Sequence, residues 1–530
     1  MSNIPYTTAA SDFLKKNIVD IESRGELVDF TATDFATLRS ALLDYIKAVY
    51  PFDYQNFTES DFGVMFAELV AYMGSIMSYK ADMLAHEGFI KTAKSRHNVK
   101  KLLELIGIRL RGPSGGAGSC RATANIELTT ESYSIPVQNR VVSVASPTDG
   151  GPVNYTLYTV EGGVLNPPSS DGSISLLSST ADNPNAPLVW SNLALVEGAL
   201  GEDVGTFTEL GALKQVTLQE GPVIENSIQV LVESTDSEAS GVYTEVESLF
   251  SASGADHRVF SVVYDDDYNA TVLFGDGTNG AVPPTNATYR IYYRVGGGER
   301  GNAPASYINT TVQNSTGGVS FVIENVAAIT GGADAETVQR AKVYGPLAFK
   351  SQDRLVTLED YKTFATRFVG PTGSTAKAVA STRKGFSSAN VIDVFVLEKA
   401  NNLQLQKSSA AFKTSLLEAM NQKKMLTDEL VVVDGLVRTV DLSMTVFVDR
   451  FFLKKEIEIL QRSSDMVKNY FNVDNREFGE RIWLDDINRA VFNGVQEVKI
   501  ATIDNLDKDI QLNYNEIIQL NNLVINVSYV

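Results

Sequence analysis

Apolar residues recur every three or four positions along the first 112 residues, the spacing of one face of an α-helix. Phe35, Leu38, Leu42 and Ile46 define one such face, with Thr33 placed to cap it. Thr58 and Asp61 have the spacing of a capping box, opening a second helix whose apolar face carries Phe66, Leu69, Val70, Met73, Ile76 and Met77. A third helix carries Val99, Leu102, Leu103 and Ile106 and meets a stop at Gly107. Residues 1–112 are therefore expected to form a helical region. The methionines on or near the second helix, Met65, Met73, Met77 and Met83, read first as a core stripe and second as an adaptable protein-binding groove.

The pattern changes at RGPSGGAGS (111–119), which is too rich in glycine to hold a helix. From Cys120 to about Ile329 the runs alternate with a period of two: QVTLQ (215–219), SIQVLVES (227–234), RVFSVVY (258–264) and YRIYYRV (289–295). A mainly-β domain of many short strands is expected over 113–330, with 164–190 as a long surface excursion. After Gly331-Gly332 the helical period returns. VTLEDYKTFATRF (356–368) predicts a helix with Thr357 as N-cap, followed by a strand over 391–398 and a helix over about 408–423. VRTVDLSMTVFVDR (437–450) places Val440, Leu442, Met444, Val446 and Val448 on one strand face, and helices are expected over 453–471 and 484–492. LEDYKTFATRFVGPTGSTAKAV (358–379) and LDDINRAVFNGVQEVKI (484–500) share a plan of leucine, two acids, an apolar-faced helix, a glycine and a strand with a lysine. Residues 331–435 and 436–530 are thus read as two related α+β subdomains, the second a dimerisation module. The whole predicts a multidomain α+β protein.

The 530 residues leave room for several such domains. The balance of 45 Lys+Arg against 64 Asp+Glu gives −19, with no basic run, which argues against nucleic acid as a main partner. A single cysteine, Cys120, allows neither an intrachain disulfide nor a cysteine-based zinc site. The start has no signal-peptide core, and no window is read as a membrane span, so assembly in a cytoplasm without membrane insertion is expected.

Two stretches raise the question of nucleotide binding. Gly275-Asp276-Gly277-Thr278-Asn279-Gly280 and Gly296-Gly297-Gly298-Glu299-Arg300-Gly301 both fit G-x-G-x-x-G. That fingerprint works only where the glycines join a strand to a helix whose N–H groups receive the pyrophosphate. Here AVPP follows the first and NAPASYINTT the second, so neither opens a helix. The glycines are read as sheet turns needing positive φ. YDDDYN (264–269) with Asp276 lacks calcium-loop spacing. His86, His97 and His257 fit no catalytic motif, and the pairs Glu359-Asp360 and Asp485-Asp486 lie where acids offset a helix dipole. No catalytic, cofactor-binding or metal-binding residue is predicted.

The stretch FGDGTNGAVPP…ATYRIYYRVGGGERGN resembles the signature of the baseplate J-like proteins of contractile phage tails. Residues 60–108 look like that family's helical N-terminal region. GGADAETVQRAKVYGPLAFKSQDRLVTLEDYKTF (331–364) resembles its central hinge, and the length is most like the larger wedge subunits of myophages. The resemblance implies a structural, non-enzymatic virion protein in a ring around the central hub and tail tube, which changes diameter on contraction. It implies as partners a second copy of the chain, other wedge proteins, neighbouring wedges and the hub or tube. Within it, Gly275, Asp276, Gly277, Gly280, Gly296, Gly297 and Gly298 are structural turns. Phe66, Met73 and Met77 are candidates for a bundle with other subunits, and Tyr470, Phe471 and Trp483 for self-contacts of the C-terminal pair. Two competing readings are a receptor- or glycan-binding tail module, built on the β domain and its excursion, and a nucleotide-dependent enzyme.

Overall fold

The computed structural model describes residues 34–49, 56–58, 61–125, 132–161, 164–166, 169, 171–183, 187–208, 214–234, 240–252, 254, 256–313, 319–352, 354–383 and 390–530. Two compact units divide the chain, Met1–Ile106 and Gly107–Val530.

The described part of the first unit is helical: Phe35–Val49, Phe62–Glu87 and Arg96–Leu105. The expected cap Thr33 lies outside the described residues. Asp61 stands at the head of the second helix without a side-chain cap bond, so the capping box expected of Thr58 and Asp61 does not form. Gly107, at φ +76°, follows the third helix as expected. The packing of the second helix departs from the expected core stripe. Its buried residues are Val64, Ala67 and Ala71, spaced three and four apart, and Gly74 continues the row with an added Cβ 3.3 Å from Leu38 Cδ1. Small side chains let the 35–49 helix approach this side, and Arg39 Nε donates to Glu68 Oε1 at 2.8 Å across the pair. Because the helix is apolar nearly all round, periodicity alone could not choose the inward side.

The second unit begins with a β body of two seven-stranded sheets. In one, Ala117–Ala124 lies between Ser320–Asn325 and Leu188–Glu197, all antiparallel. In the other, Thr288–Val295 pairs with Ala199–Thr206 and Gln229–Glu233. Each sheet has its own core, the first built on Trp190, Tyr133 and Phe321 at 5.6–6.0 Å between rings, the second on Phe207, Phe274 and Tyr293. Segment 164–190, expected as a surface excursion, supplies part of the first core. Its strand Ile174–Leu177 pairs with Ser132–Ile135 and buries Ile174 and Leu176, and Leu188 and Trp190 are fully buried. The proline, serine and asparagine around that short alternation hid it.

Two α+β modules follow. In the first, helix Leu358–Arg367 leads to edge strand Lys377–Thr382, antiparallel to central strand Asn390–Asn401, which pairs in parallel with Asp428–Asp434. In the second, helix Leu484–Gly494 leads to edge strand Val498–Ile503, antiparallel to central strand Leu436–Val448, which pairs in parallel with Glu516–Tyr529. Both modules thus place a helix and its edge strand the same way around a central strand, with different chain order. Thr357 caps its helix in a full capping box with Asp360.

Candidate functional site

The two glycine stretches do different work. After strand Ala270–Phe274 the first folds back on itself. The Gly277 N–H donates to Gly280 O at 3.0 Å, and Asp276 Oδ1 accepts from the Thr278 and Asn279 N–H groups at 2.8 and 2.6 Å. Those bonds hold the Asp276 carboxyl below its usual range. Gly277 and Gly280 sit at φ +85° and +91°, which a side chain rarely adopts, and a Cβ on Gly275 would strike the Gly280 carbonyl. The chain then passes through Pro283 and Pro284 into strand Thr288–Val295. No helix N-terminus faces the loop, so it has no phosphate cradle.

The second stretch sits where the β body meets both α+β modules. Gly296, Gly297 and Gly298 all have positive φ. The turn delivers the Gly298 N–H to Ser114 O at 3.1 Å and the Glu299 N–H to Asp334 Oδ1 at 3.2 Å. Gly301 lies directly under the carboxyl group of Glu197, where a Cβ would overlap Cδ and both oxygens. Glu197 is buried and accepts the Gly116 N–H at 3.2 Å. Burial pushes its carboxyl up to about 7, against the opposing pull of that N–H and of Arg294 and Arg300. Arg294 is fully buried as well. Its Nη1 donates to Glu197 O at 2.7 Å and its Nη2 to Pro371 O at 2.9 Å, joining the body to the first module.

Further bonds cross the same junction. Asn302 Nδ2 donates to Gly332 O and Lys399 O at 2.9 and 3.1 Å, and its Oδ1 accepts the Gly332 N–H at 2.9 Å. Lys399 Nζ reaches Glu299 of the body and Asp474 of the second module, the latter at 3.1 Å. Glu398, fully buried, accepts from Thr330, and burial raises its carboxyl to about 8. Arg111 donates to Thr366 O and Phe368 O at 2.9 and 3.3 Å, with its guanidinium lowered to about 10 by burial. Beside these bonds a cleft of about 830 Å3 separates the body from the first module, walled by small residues such as Ala117, Gly118, Ala194, Ala410 and Gly435. The arrangement is mechanical: backbone carbonyls and buried charges fix three modules at one point. Among the described residues no group of three or more His, Cys, Asp and Glu is placed to hold a metal ion.

The candidate interface residues fall in three settings. Phe66, Met73 and Met77 stand 57, 56 and 69 % exposed on the 62–87 helix. Trp483 is half exposed beneath the Arg481 guanidinium at 4.0 Å, and Tyr470 is half-buried under Arg476 at 4.2 Å. Phe471 is not at the surface: it is packed in the core of the second module. The junction residues Glu197, Asn302, Glu398 and Lys399 escaped sequence reasoning. Only Arg294 and Asn302 lie inside a recognised run, YRVGGGERGN.

The 26-residue 62–87 helix is long and apolar enough by length and composition to cross a membrane, contrary to the expectation that no segment is. Residues 34–105, which contain it, match the family model of the bacteriophage baseplate protein, N-terminal domain. The chain resembles a phage baseplate wedge protein. It is 22 % identical over 385 residues to baseplate wedge protein gp6 of Enterobacteria phage T4, covering 68 % of this chain and 53 % of that one. The chain thus spans about half the length of that relative. Among solved structures, the baseplate of the anti-feeding prophage aligns over 91 % of this chain and 90 % of that one, at 11 % identity and a TM-score of 0.29. The TssK-TssF-TssG baseplate subcomplex of the type VI secretion system aligns over 70 % and 96 %, at 10 % identity and a TM-score of 0.24. The protein is a baseplate-associated structural protein, and its expected place in the virion tail stands with that.

Proposed function

We propose that the protein is a non-enzymatic subunit of the baseplate wedge. It forms part of a ring around the central hub and tube of a contractile tail and is repositioned when the sheath contracts. The observation that carries this reading is the 62–87 helix. It buries its small residues within its own unit and leaves Phe66, Leu69, Met73 and Met77 uncovered, inside the segment that matches the baseplate domain. Exposed apolar faces of this size mark protein interaction sites. In this reading the face enters a helical bundle with other wedge proteins and does not insert into a membrane. The C-terminal modules, with Trp483 and Tyr470, supply contacts to a second copy. The polar junction, with a cleft beside it, supports a body whose modules keep their register while the ring changes diameter.

Protein mass spectrometry of purified particles tests the role. The chain is expected in several stoichiometric copies per tail, and its absence from particles refutes the proposal. In complementation, Met73→Asp with Met77→Asp should leave melting of the isolated protein unchanged within about 1 °C, since surface changes are near neutral. The same variant should drop out of assembled particles. Normal incorporation would show that this face is not a subunit contact.

A further inference from the structure

The charge of this chain is unevenly spread. Residues 113–330 carry 7 Lys+Arg against 24 Asp+Glu, a balance of −17 that is nearly the whole formal charge of −19. Residues 331–435 carry 14 against 11, or +3. The β body is strongly acidic and the module beside it in sequence is basic.

That module also presents an apolar patch that nothing in the described chain covers. The parallel bridge between Leu355 and Lys424 sets Val356 beside Met425. Val356, Leu358 and Met425 are exposed, and Leu426 is wholly exposed. The patch is held rigidly. Leu355 is buried in the module core, and its N–H donates to Lys423 O at 3.0 Å. The turn carrying Leu426 is closed by the Asp428 N–H on Met425 O at 3.1 Å and fixed by the Tyr361 hydroxyl on Asp428 Oδ2 at 2.7 Å. Leu426 therefore cannot fold inward without breaking a buried hydrogen bond. Around the patch stand Lys350 and Arg354, both exposed, and Lys423 and Lys424 on the neighbouring segment. Two acids accompany them, Glu359, which faces Lys362 at 3.9 Å, and Glu429. An apolar centre with a basic rim calls for an acidic partner surface.

We infer that this patch docks on the acidic β body of a second copy of the chain. The contact joins two different surfaces of the same protein, so it repeats head to tail, the kind of contact that closes rings. It differs from a two-fold pairing of the C-terminal modules and rests on the ring-subunit reading only for its biological use.

Zero-length carbodiimide coupling, which joins lysine amines to carboxylates, tests it on the full chain. Unlabelled and 15N-labelled protein are mixed before coupling, so that a link between a light and a heavy peptide is intermolecular. The expected links join Lys350, Lys423 or Lys424 to acids within 113–330, in mixed-label pairs. Their yield should fall about tenfold from about 50 mM to about 500 mM salt, since exposed charge attraction is screened over that range. Leu426→Asp should abolish them with the melting curve intact, and Arg354→Glu should reduce them through charge alone. Mixed links confined to residues 436–530 overturn this contact while leaving the baseplate role, which particle composition decides, untouched. Purely intramolecular links, or mixed links undiminished in both variants, overturn it as well.

Discussion

Gly301→Ala tests whether the junction is built as described. The added methyl would occupy the space of the Glu197 carboxyl group, which is buried and has no open side to swing to. Forcing a methyl into a filled interior costs roughly 1–3 kcal/mol. Pushing the carboxylate off the Gly116 N–H unmakes a bond to a charged group, worth roughly 1.5–3 kcal/mol. Together these predict a loss of about 3–5 kcal/mol in the β body, where Gly116, Glu197 and Gly301 all lie. For a cooperative unit of about 200 residues that corresponds to a drop on the order of 10 °C in melting temperature. Differential scanning calorimetry of the full chain at about pH 8, with Glu197 ionised, should show the transition of the body shifted by that amount. The decisive arm is the double-mutant cycle. In a Glu197→Ala background the carboxyl is gone, the methyl has room, and Gly301→Ala should lose less than half of its single-variant effect. A single variant that melts like the parent, or a penalty undiminished without Glu197, would refute the packing argument.

Three further outcomes follow from the same geometry. Burial raises the carboxyls of Glu197 and Glu245 to about 7 and of Glu398 to about 8, above the ordinary 4.5. Between those values the folded chain binds more protons than the unfolded one, so stability is highest below about pH 4.5 on this account and falls as pH rises to about 8. Melting temperature measured across that range should decline, and Glu398→Gln should flatten the decline; an unchanged slope in the variant would exclude Glu398 as a contributor. Gly277→Val, at φ +85°, should destabilise by about 1–3 kcal/mol in denaturant unfolding, and Gly277→Asn by clearly less, because asparagine tolerates left-handed backbone; equal effects would mean that φ is not the constraint. Phe471→Ala, in the second module's core, should destabilise that module by about 3–5 kcal/mol. Half-exposed Trp483→Ala should leave folding nearly unchanged and weaken only self-association, a contrast that sedimentation and calorimetry resolve together.

Much of the architecture was legible because it rests on local rules. Period-two runs such as 258–264 and 289–295 became the strands Val259–Tyr264 and Thr288–Val295, and the Thr357 cap was visible from its spacing to Asp360. The refusal of FGDGTNG as a phosphate site was legible from Pro283 and Pro284, since local sequence decides whether a helix follows. What failed was tertiary. No local rule shows that Ile174, Leu176 and Trp190 fill a core across a proline- and serine-rich stretch. The 62–87 helix defeated periodicity for another reason. Its small row, Val64, Ala67, Ala71 and Gly74, and its large row both repeat at helical spacing, and choosing between them requires the neighbouring helix at Leu38. Phe471 and Trp483, twelve residues apart, differ in burial through packing that spacing does not encode.

The two glycine stretches show why one letter pattern can serve two purposes in a mechanical protein. In FGDGTNG the glycines relieve local strain: their neighbours are their own loop, and the bonds they free are closed by Asp276 and Gly280. In GGGERGN the missing side chains make room for groups from far along the chain, Glu197 against Gly301 and Asp334 against Gly298. The first kind of glycine can be replaced by a residue that accepts the same φ. The second cannot be replaced by any residue with a side chain, whatever φ it accepts. A joint between three modules needs the second kind, because buried charges such as Arg294 must reach main-chain carbonyls directly. The polar junction therefore fixes geometry more than it adds stability: replacing one partner strands the other charge in a buried site, and the register of the modules is lost with it.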